Sequence, residues 1–178
     1  MEKYNLKKNG VFFQIGANDG NDIFKGLVNK YKPSKVILVE PNKELIGSLR
    51  RNYKNIPNVN IINKAINTEN KDVVLYLPAM HKKRGNKGEN GISYTLGNIS
   101  MIPMNDWGSK DNMIEIKAKG ITFNDLCKQM KITHIDYLQI DTEGFDSEII
   151  QSIDFNNITI DLLRYEYWGF DTNRFTRH

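Results

Sequence analysis

Glycines and a carboxylate near the start of the chain have the spacing of a site for a small ligand. The apolar run Val11–Ile15 leads into a turn that contains Gly16 and Gly20, and the apolar residues that follow recur with helical spacing. A strand, a glycine turn and a helix in this order open a Rossmann-like unit, in which a ligand meets the carboxyl end of the strand. Glu40 ends the next apolar run, where a carboxylate can accept hydrogen bonds from both hydroxyls of a ribose. The pattern predicts a cofactor that contains a nucleoside.

The charge of the turn favours one kind of cofactor. The turn reads GANDG, lacks a middle glycine, carries Asp19 and is followed by Asp22. A dinucleotide would place its anionic pyrophosphate against the N-terminus of the helix, where these carboxylates would repel it. S-adenosylmethionine carries an ammonium and a sulfonium beside its ribose, so the sequence favours this cofactor over NAD. The alternative is that Asp19 and Asp22 only complement the dipole of the new helix.

A second group of carboxylates follows two later predicted strands. Asp141 ends the apolar run Ile135–Ile140, Glu143 comes two residues later, and Glu166 ends the last predicted strand. Because the carboxyl ends of parallel strands meet at one edge of a sheet, we expect these side chains near the glycine turn. They could steer a sulfonium, bind a divalent metal ion, or accept a proton from an acceptor hydroxyl. The alternative is that Asp141 and Thr142 cap a helix that starts near Gly144, with Glu143 complementing its dipole.

The elements that position these residues alternate between strand and helix. We predict strands at Val11–Ile15, Val36–Glu40, Val59–Ile62, Ile135–Ile140 and Ile158–Glu166, with helices whose apolar faces begin at Ile23, Leu45, Phe123 and Phe145. Right-handed crossovers then give an α/β, Rossmann-like fold with a mostly parallel central sheet flanked by helices. Val73–Leu77 and Met113–Lys117 predict an extra antiparallel strand pair. Between them, residues at about 78–112 predict a long loop on the acceptor side.

The composition sets limits on partners and location. The chain has 178 residues, which fits one domain spanning 1–178. Its net charge of +4 is scattered rather than gathered in a basic stripe, so no nucleic-acid partner is expected. No apolar run is long enough to span a membrane and the N-terminus is polar, so we expect a cytoplasmic protein without a membrane partner. The single cysteine, Cys127, has the helical spacing of a core residue.

The chain resembles the FkbM-type methyltransferases, a family of Rossmann-like enzymes that use S-adenosylmethionine. The resemblance covers about 11–168 and depends on the blocks VFFQIGANDG, VILVEPN, NKAIN, and IEIKAKGITFNDL leading to IDYLQIDTEGFDSEII. The last block is the most specific, because it combines an aspartate, any residue, Glu-Gly and a following helix. The resemblance implies methyl transfer, most often to a hydroxyl of a sugar or natural product.

By position, the resemblance also implies residue roles. Asp141 and Glu143 would line the methyl-transfer crevice, with Asp141 the first choice for a base or orienting group. Ser93, within GISYTL, and Glu166 would face the acceptor. The implied cofactor site comprises Gln14, Gly16, Ala17, Asn18, Asp19, Gly20, Glu40, Pro41, Asn42, Lys64, Ala65, Ile66 and Asp141. The glycine turn would hold the methionine end, Glu40 the ribose, and the segment 64–66 would lie near the adenine.

Two departures from the family keep other interpretations open. Gln14 stands where the family usually has an acid, and the chain ends soon after the last predicted strand, where related folds commonly add a hairpin. Both features suit a non-catalytic adenosylmethionine-fold module or a shortened variant. A further alternative has Asp141, Glu143 and Glu166 bind Mg²⁺, although we predict no metal site. The sequence does not identify the methyl acceptor or the oligomeric state.

Overall fold

A parallel sheet forms the centre of the protein. The computed structural model describes residues 6–78 and 113–166, so Ser93 and most of the predicted long loop lie outside the described residues. The strands are β1 Val11–Ile15, β2 Lys35–Val39, β3 Val59–Ile62, β4 Ala65–Ile66, β5 Val73–Pro78, β6 Met113–Ala118, β7 Gly120–Ile121, β8 His134–Ile135, β9 Tyr137–Ile140, β10 Thr159–Ile160 and β11 Leu163–Arg164. The helices are α1 Ile23–Tyr31, α2 Ile46–Tyr53, α3 Phe123–Met130 and α4 Asp146–Ser152.

The main sheet has the order β11-β9-β1-β2-β3, and every neighbouring pair is parallel. Because β1 continues to β2 on one side and borders β9 on the other, the strand order reverses between β1 and β9. Ligands bind at such reversal points in open α/β sheets. The predicted fold class is confirmed, including the extra antiparallel pair, which β5 and β6 form from Val73 opposite Ala118 to Pro78 opposite Met113.

Alternation along the strands builds one core on each face of the sheet. In β1, Phe13 and Ile15 pack in a cluster with α3 and α4, whereas Phe12 packs in a cluster with α1 and α2. Strands buried on both faces are typical of parallel sheets covered by helices. Cys127, predicted to be a core residue, is 1% exposed in the first cluster. The two helix layers therefore hold the carboxyl edge of the sheet in a fixed geometry.

The capping residue and the apolar spacing predicted the helices correctly, except for the burial of one residue in α1. Thr122 caps α3 as predicted, because its Oγ1 accepts a hydrogen bond from the Asp125 amide at 3.1 Å. In α1, Phe24, Leu27 and Val28 are buried, but Ile23 is 62% exposed, which the apolar pattern did not predict. Ile23 is about 100° around the helix from Phe24, so it faces away from the sheet that Phe24 covers.

Two predicted strands are each divided in the structure. Ile135–Ile140 is interrupted at Asp136, whose Oδ2 accepts a hydrogen bond from the Val11 amide at 2.7 Å. β8 therefore pairs with β10 outside the main sheet, and β9 alone pairs with β1. The predicted strand Ile158–Glu166 is likewise two strands, since β10 pairs with β8 and β11 with β9. Glu166 consequently lies two residues beyond β11 rather than at the end of a long strand.

No helix in the described ranges is long and apolar enough to cross a lipid bilayer.

Candidate functional site

A cavity of about 340 Å³ opens at the carboxyl edge of β1, β2 and β9, where the strand order reverses. This volume is within the range of ordinary small-molecule sites, about 300–1,000 Å³. Eleven of the predicted site residues line it: Gly16, Ala17, Asn18, Asp19, Glu40, Pro41, Lys64, Ala65, Ile66, Asp141 and Glu143. Gln14, Gly20, Asn42 and Glu166 are not among its lining residues.

The glycine turn joins three strands at the floor of this cavity. The amides of Gly16 and Ala17 both donate to the carbonyl of Val39 at 3.0 Å, and the Asp141 amide donates to the carbonyl of Ile15 at 3.0 Å. Gly16 has φ +78°, and a Cβ added to it would lie 1.8 Å from the carbonyl oxygen of Asp141. Only glycine allows β1 and the segment after β9 to approach so closely.

Gly20 does not line the cavity but packs against α2. Its φ is +73°, and a Cβ there would lie 2.5 Å from Leu49 Cδ1 and 2.6 Å from Tyr53 Cε2. The second glycine of the turn is thus required by the packing of α2 against the turn. Its amide donates to the carbonyl of Ala17 at 2.9 Å, which closes the turn.

Glu40 is held rigidly at the end of β2. Its side chain is 4% exposed, Oε2 accepts from the Asn18 amide and Oε1 from the Asn42 amide, each at 2.7 Å. Burial raises the pKa of this carboxyl to about 7, although both amide hydrogen bonds act to lower it. Each oxygen keeps a second lone pair for a ligand donor. Asn42, itself 2% exposed, orients Glu40 from outside the cavity lining.

Gln14 lies in β1, directly before the lining residue Ile15, and is only 1% exposed. Its Nε2 donates to Asp22 Oδ2 at 2.5 Å, and Asp22 Oδ1 accepts from the Lys25 amide at 3.1 Å as the N-cap of α1. Asp22 lines the cavity but is not one of the predicted site residues; the sequence indicates it only through the negative charge that follows the turn. The amide of Gln14 is therefore linked to the cavity through a carboxylate.

The structure brings the three later carboxylates together, as the sequence predicted. The carboxylate oxygens of Asp141, Glu143 and Glu166 lie within 4.8 Å of one another. Partial burial and then the charge of Glu166 raise the pKa of Asp141 to about 6, with smaller effects from Asp146 and Asp22. The same two causes, in the same order, raise the pKa of Glu143 to about 7. Like charges this close make it favourable for the group to hold a proton near neutral pH.

Asp146 organises this cluster and was missed in the sequence analysis. It is 2% exposed, and its carboxylate accepts hydrogen bonds from the Thr142 hydroxyl, from the Thr142 amide at 2.8 Å and from the Glu166 amide at 2.9 Å. The alternative that Asp141 and Thr142 cap the following helix is wrong, because α4 begins at Asp146 with Phe145 at the N-cap. In the sequence, only the spacing of four residues between Thr142 and Asp146 indicates that they are in contact. This spacing is common in helices, so it does not single out Asp146 as a site residue.

Asp141 lies between two cavities. A second, smaller cavity of about 250 Å³ is lined by Asp141, Glu166, Arg164 and neighbouring residues of β9 and β11. Glu166 does not line the main cavity, but it lines the smaller one together with Asp141, and their carboxylate oxygens lie within 4.8 Å of each other. Asp141 borders both cavities, so its carboxylate can contact one group in the main cavity and another in the smaller one.

The rest of the lining mixes four apolar residues with three polar or charged ones and comes from several elements. Lining residues outside the predicted set are Ile15, Asn21, Asp22, Val39, Leu45, Leu75 and Thr142. Most of them adjoin predicted residues at strand ends, so the strand pattern could have located them. Leu75 is different, because β5 belongs to the antiparallel pair and no motif connects it with the glycine turn.

Comparison with known proteins gives the family. A family model described as Methyltransferase FkbM domain matches residues 14–177, which include the glycine turn and the carboxylate cluster. The chain belongs to the FkbM methyltransferase family. The resemblance noted in the sequence is confirmed, and at the level of the family this FkbM protein is a methyltransferase. Searches of curated proteins and of solved structures gave no match.

Proposed function

We propose that this FkbM-family chain transfers a methyl group from S-adenosylmethionine to a hydroxyl of a sugar or natural-product acceptor. Membership of the family supports methyl transfer. The observation that carries the choice of cofactor is the arrangement of acids around the cavity. Glu40 is fixed at the end of β2, and other carboxylates lie around the glycine turn and after β9.

The chemistry of the lining groups fits an adenosyl cofactor better than a dinucleotide. Lys64 is the only cationic side chain among the described residues that line the cavity, whereas the acids are Asp19, Asp22, Glu40, Asp141 and Glu143. Glu40 and Glu143, with pKa values of about 7, are only partly ionised at neutral pH, but the acids still outnumber the one cation. The resulting negative charge would repel a pyrophosphate and attract an ammonium or a sulfonium. The free lone pairs of Glu40 suit the two ribose hydroxyls, and Leu45, Ile66 and Leu75 offer apolar surface for an adenine.

The cofactor, when bound, supplies the methyl group from its sulfonium. The chain contributes alignment, exclusion of water and a destination for the proton of the acceptor hydroxyl. We assign that last role to Asp141, because it lines both the main cavity and the smaller one beside Glu166. With a pKa of about 6, its carboxyl is mostly ionised at neutral pH yet close enough in pKa to take up a proton. Glu143 is the second candidate for the same role.

A second candidate function is a non-catalytic adenosylmethionine-binding module. The observation in its favour is Gln14, a buried neutral amide that donates a hydrogen bond to Asp22 in the cavity lining. In this alternative the cavity binds the same ligand, but the acids near Asp141 carry out no proton transfer.

Calorimetric titration of the purified chain with S-adenosylmethionine, S-adenosylhomocysteine and NAD tests the cofactor. We expect binding of the two adenosyl ligands and none of NAD. A screen of hydroxylated acceptors, beginning with sugars, then tests transfer by measuring formation of S-adenosylhomocysteine. Binding without product from any acceptor would favour the module, whereas binding of NAD alone would contradict the proposed cofactor.

A further inference from the structure

The buried amide of Gln14 forms a hydrogen-bonded pair with the carboxylate of Asp22, which lines the cavity. Gln14 occupies the fourth position of β1, where its backbone is aligned with Leu38 on β2 and Gln139 on β9. A buried amide is costly unless it is hydrogen-bonded. Its Nε2 has a partner in Asp22 at 2.5 Å, whereas its Oε1 has none among the described residues. The side chain of Gln14 is thus directed by a single strong contact to a carboxylate.

Asp22 is fixed by two hydrogen bonds and still lines the cavity. One oxygen accepts from Gln14 Nε2 and the other from the Lys25 amide in the first turn of α1. Two donors on different elements, a strand and a helix, determine the position of the carboxylate before any ligand binds. Asp22 and Asp141 line the same cavity, and the charge of Asp22 also contributes to the raised pKa of Asp141, after burial, Glu166 and Asp146.

Asp19 lines the same cavity but is held differently. Its Oδ1 accepts a hydrogen bond from the Asn21 amide at 2.9 Å, a local contact within the turn. Within the described ranges, no strand residue forms a hydrogen bond with the Asp19 side chain. Asp19 can therefore serve as a control for Asp22, because it is an acid in the lining of the same cavity that lacks a hydrogen bond to β1.

We infer that Asp22, positioned by the Gln14 amide and by the first turn of α1, binds the ammonium group at the amino-acid end of the cofactor. This inference depends on the proposed function and adds the group that recognises this end of the ligand. A carboxylate has only acceptor oxygens, and its remaining lone pairs match the N–H donors of an ammonium. Gln14 is a positioning residue in this account, because it acts on the ligand only through Asp22.

Two ligands separate recognition of the ammonium from recognition of the nucleoside. S-adenosylhomocysteine carries the ammonium, whereas 5′-methylthioadenosine has the same adenosine and a thioether but no amino-acid end. The Asp22→Ser variant keeps an N-cap oxygen for α1 and removes the charge. We expect it to weaken binding of S-adenosylhomocysteine by about 10- to 100-fold, as for loss of a charge-assisted hydrogen bond, and to leave 5′-methylthioadenosine affinity unchanged.

Gln14→Met tests the positioning role, since methionine has a similar length and no hydrogen-bond donor. We expect it to weaken S-adenosylhomocysteine binding when Asp22 is present and to have no further effect in the Asp22→Ser background. That non-additive result is the signature of two residues acting as one unit. Asp19→Asn is the control, and it should cause a smaller loss than Asp22→Ser.

The outcomes distinguish this inference from the proposed function. Equal losses for both ligands would mean that Asp22 only supports the fold, and an unchanged affinity or a matching loss in Asp19→Asn would also overturn the inference. Additive effects of Gln14→Met and Asp22→Ser would remove the positioning role. Failure of the unmodified chain to bind either ligand would instead overturn the proposed cofactor and this inference with it.

Discussion

The buried carboxyl of Glu40 gives a prediction about stability that can be worked out from the structure. Its pKa rises from an ordinary value of 4.5 to about 7 because the side chain is buried at the end of β2. The folded protein therefore retains the proton up to about pH 7, whereas the unfolded chain releases it near 4.5. Between those values the folded state binds more protons, so raising the pH destabilises the fold. The full shift corresponds to about 3 kcal/mol.

The variant Glu40→Gln isolates this effect. It removes the titrating group and also one of the two acceptor oxygens that the Asn18 and Asn42 amides use, so it lowers stability by an amount that does not depend on pH. The unfolding free energy of Glu40→Gln should lie below that of the unmodified protein, and this difference should shrink by about 2 kcal/mol between about pH 5 and about pH 8, a range that covers most of the titration. The other raised carboxyls, Asp141 and Glu143, are present in both proteins, and their contributions cancel in the difference.

Urea unfolding followed by circular dichroism at several pH values provides the free energies. Glu44→Gln, which removes an exposed glutamate four residues later, controls for the loss of one negative charge and should show no comparable trend. If the difference in unfolding free energy between the unmodified protein and Glu40→Gln is constant across this pH range, Glu40 is not desolvated as the structure indicates. The assignment of its burial would then be wrong.

Three further predictions address the turn, the base and the metal. Gly16→Ala should lower the unfolding free energy by about 3 kcal/mol or more, because the added Cβ would clash with the carbonyl of Asp141. The control Gly26→Ala, whose Cβ would enter open space on α1, should be neutral or stabilise the protein by up to about 1 kcal/mol. Equal effects of the two variants in urea unfolding would contradict the turn geometry. Asp141→Asn should lower turnover by about 10²- to 10⁴-fold while S-adenosylhomocysteine affinity is retained, and full turnover would remove its role as base. A strong chelator should leave turnover unchanged, and a loss that added Mg²⁺ restores would mean that the three clustered carboxylates bind metal.

The local elements of the fold could be predicted because their signals are contained in short segments. The alternation of strands and helices, the Thr122 cap and the Gly16 turn each depend on residues within a few positions of one another. Strand pairing across the sheet then follows from right-handed crossovers, which leave few arrangements for such a chain. Eleven predicted site residues line the cavity for the same reason, since they all follow strand ends at the carboxyl edge.

Contacts between distant segments decided the rest. Asp136 divides a continuous apolar run because its carboxylate bonds the Val11 amide, 125 residues away in the chain. Asp146 reaches Glu166 across 20 residues and gathers the acid cluster, and Leu75 enters the cavity wall from the antiparallel pair. None of these residues belongs to a pattern with a fixed period or spacing.

The sequence by itself determined the family, the order of elements and the acids that could meet a cationic cofactor, because these depend on residue type and local spacing. The tertiary structure decided which of those acids cooperate and how each is ionised. Glu40 acquires its raised pKa from burial, and Asp22 gains its position from the amide of Gln14 on a neighbouring element. Desolvation and hydrogen bonding between elements arise only when the chain has folded, and these effects set the chemistry of the site.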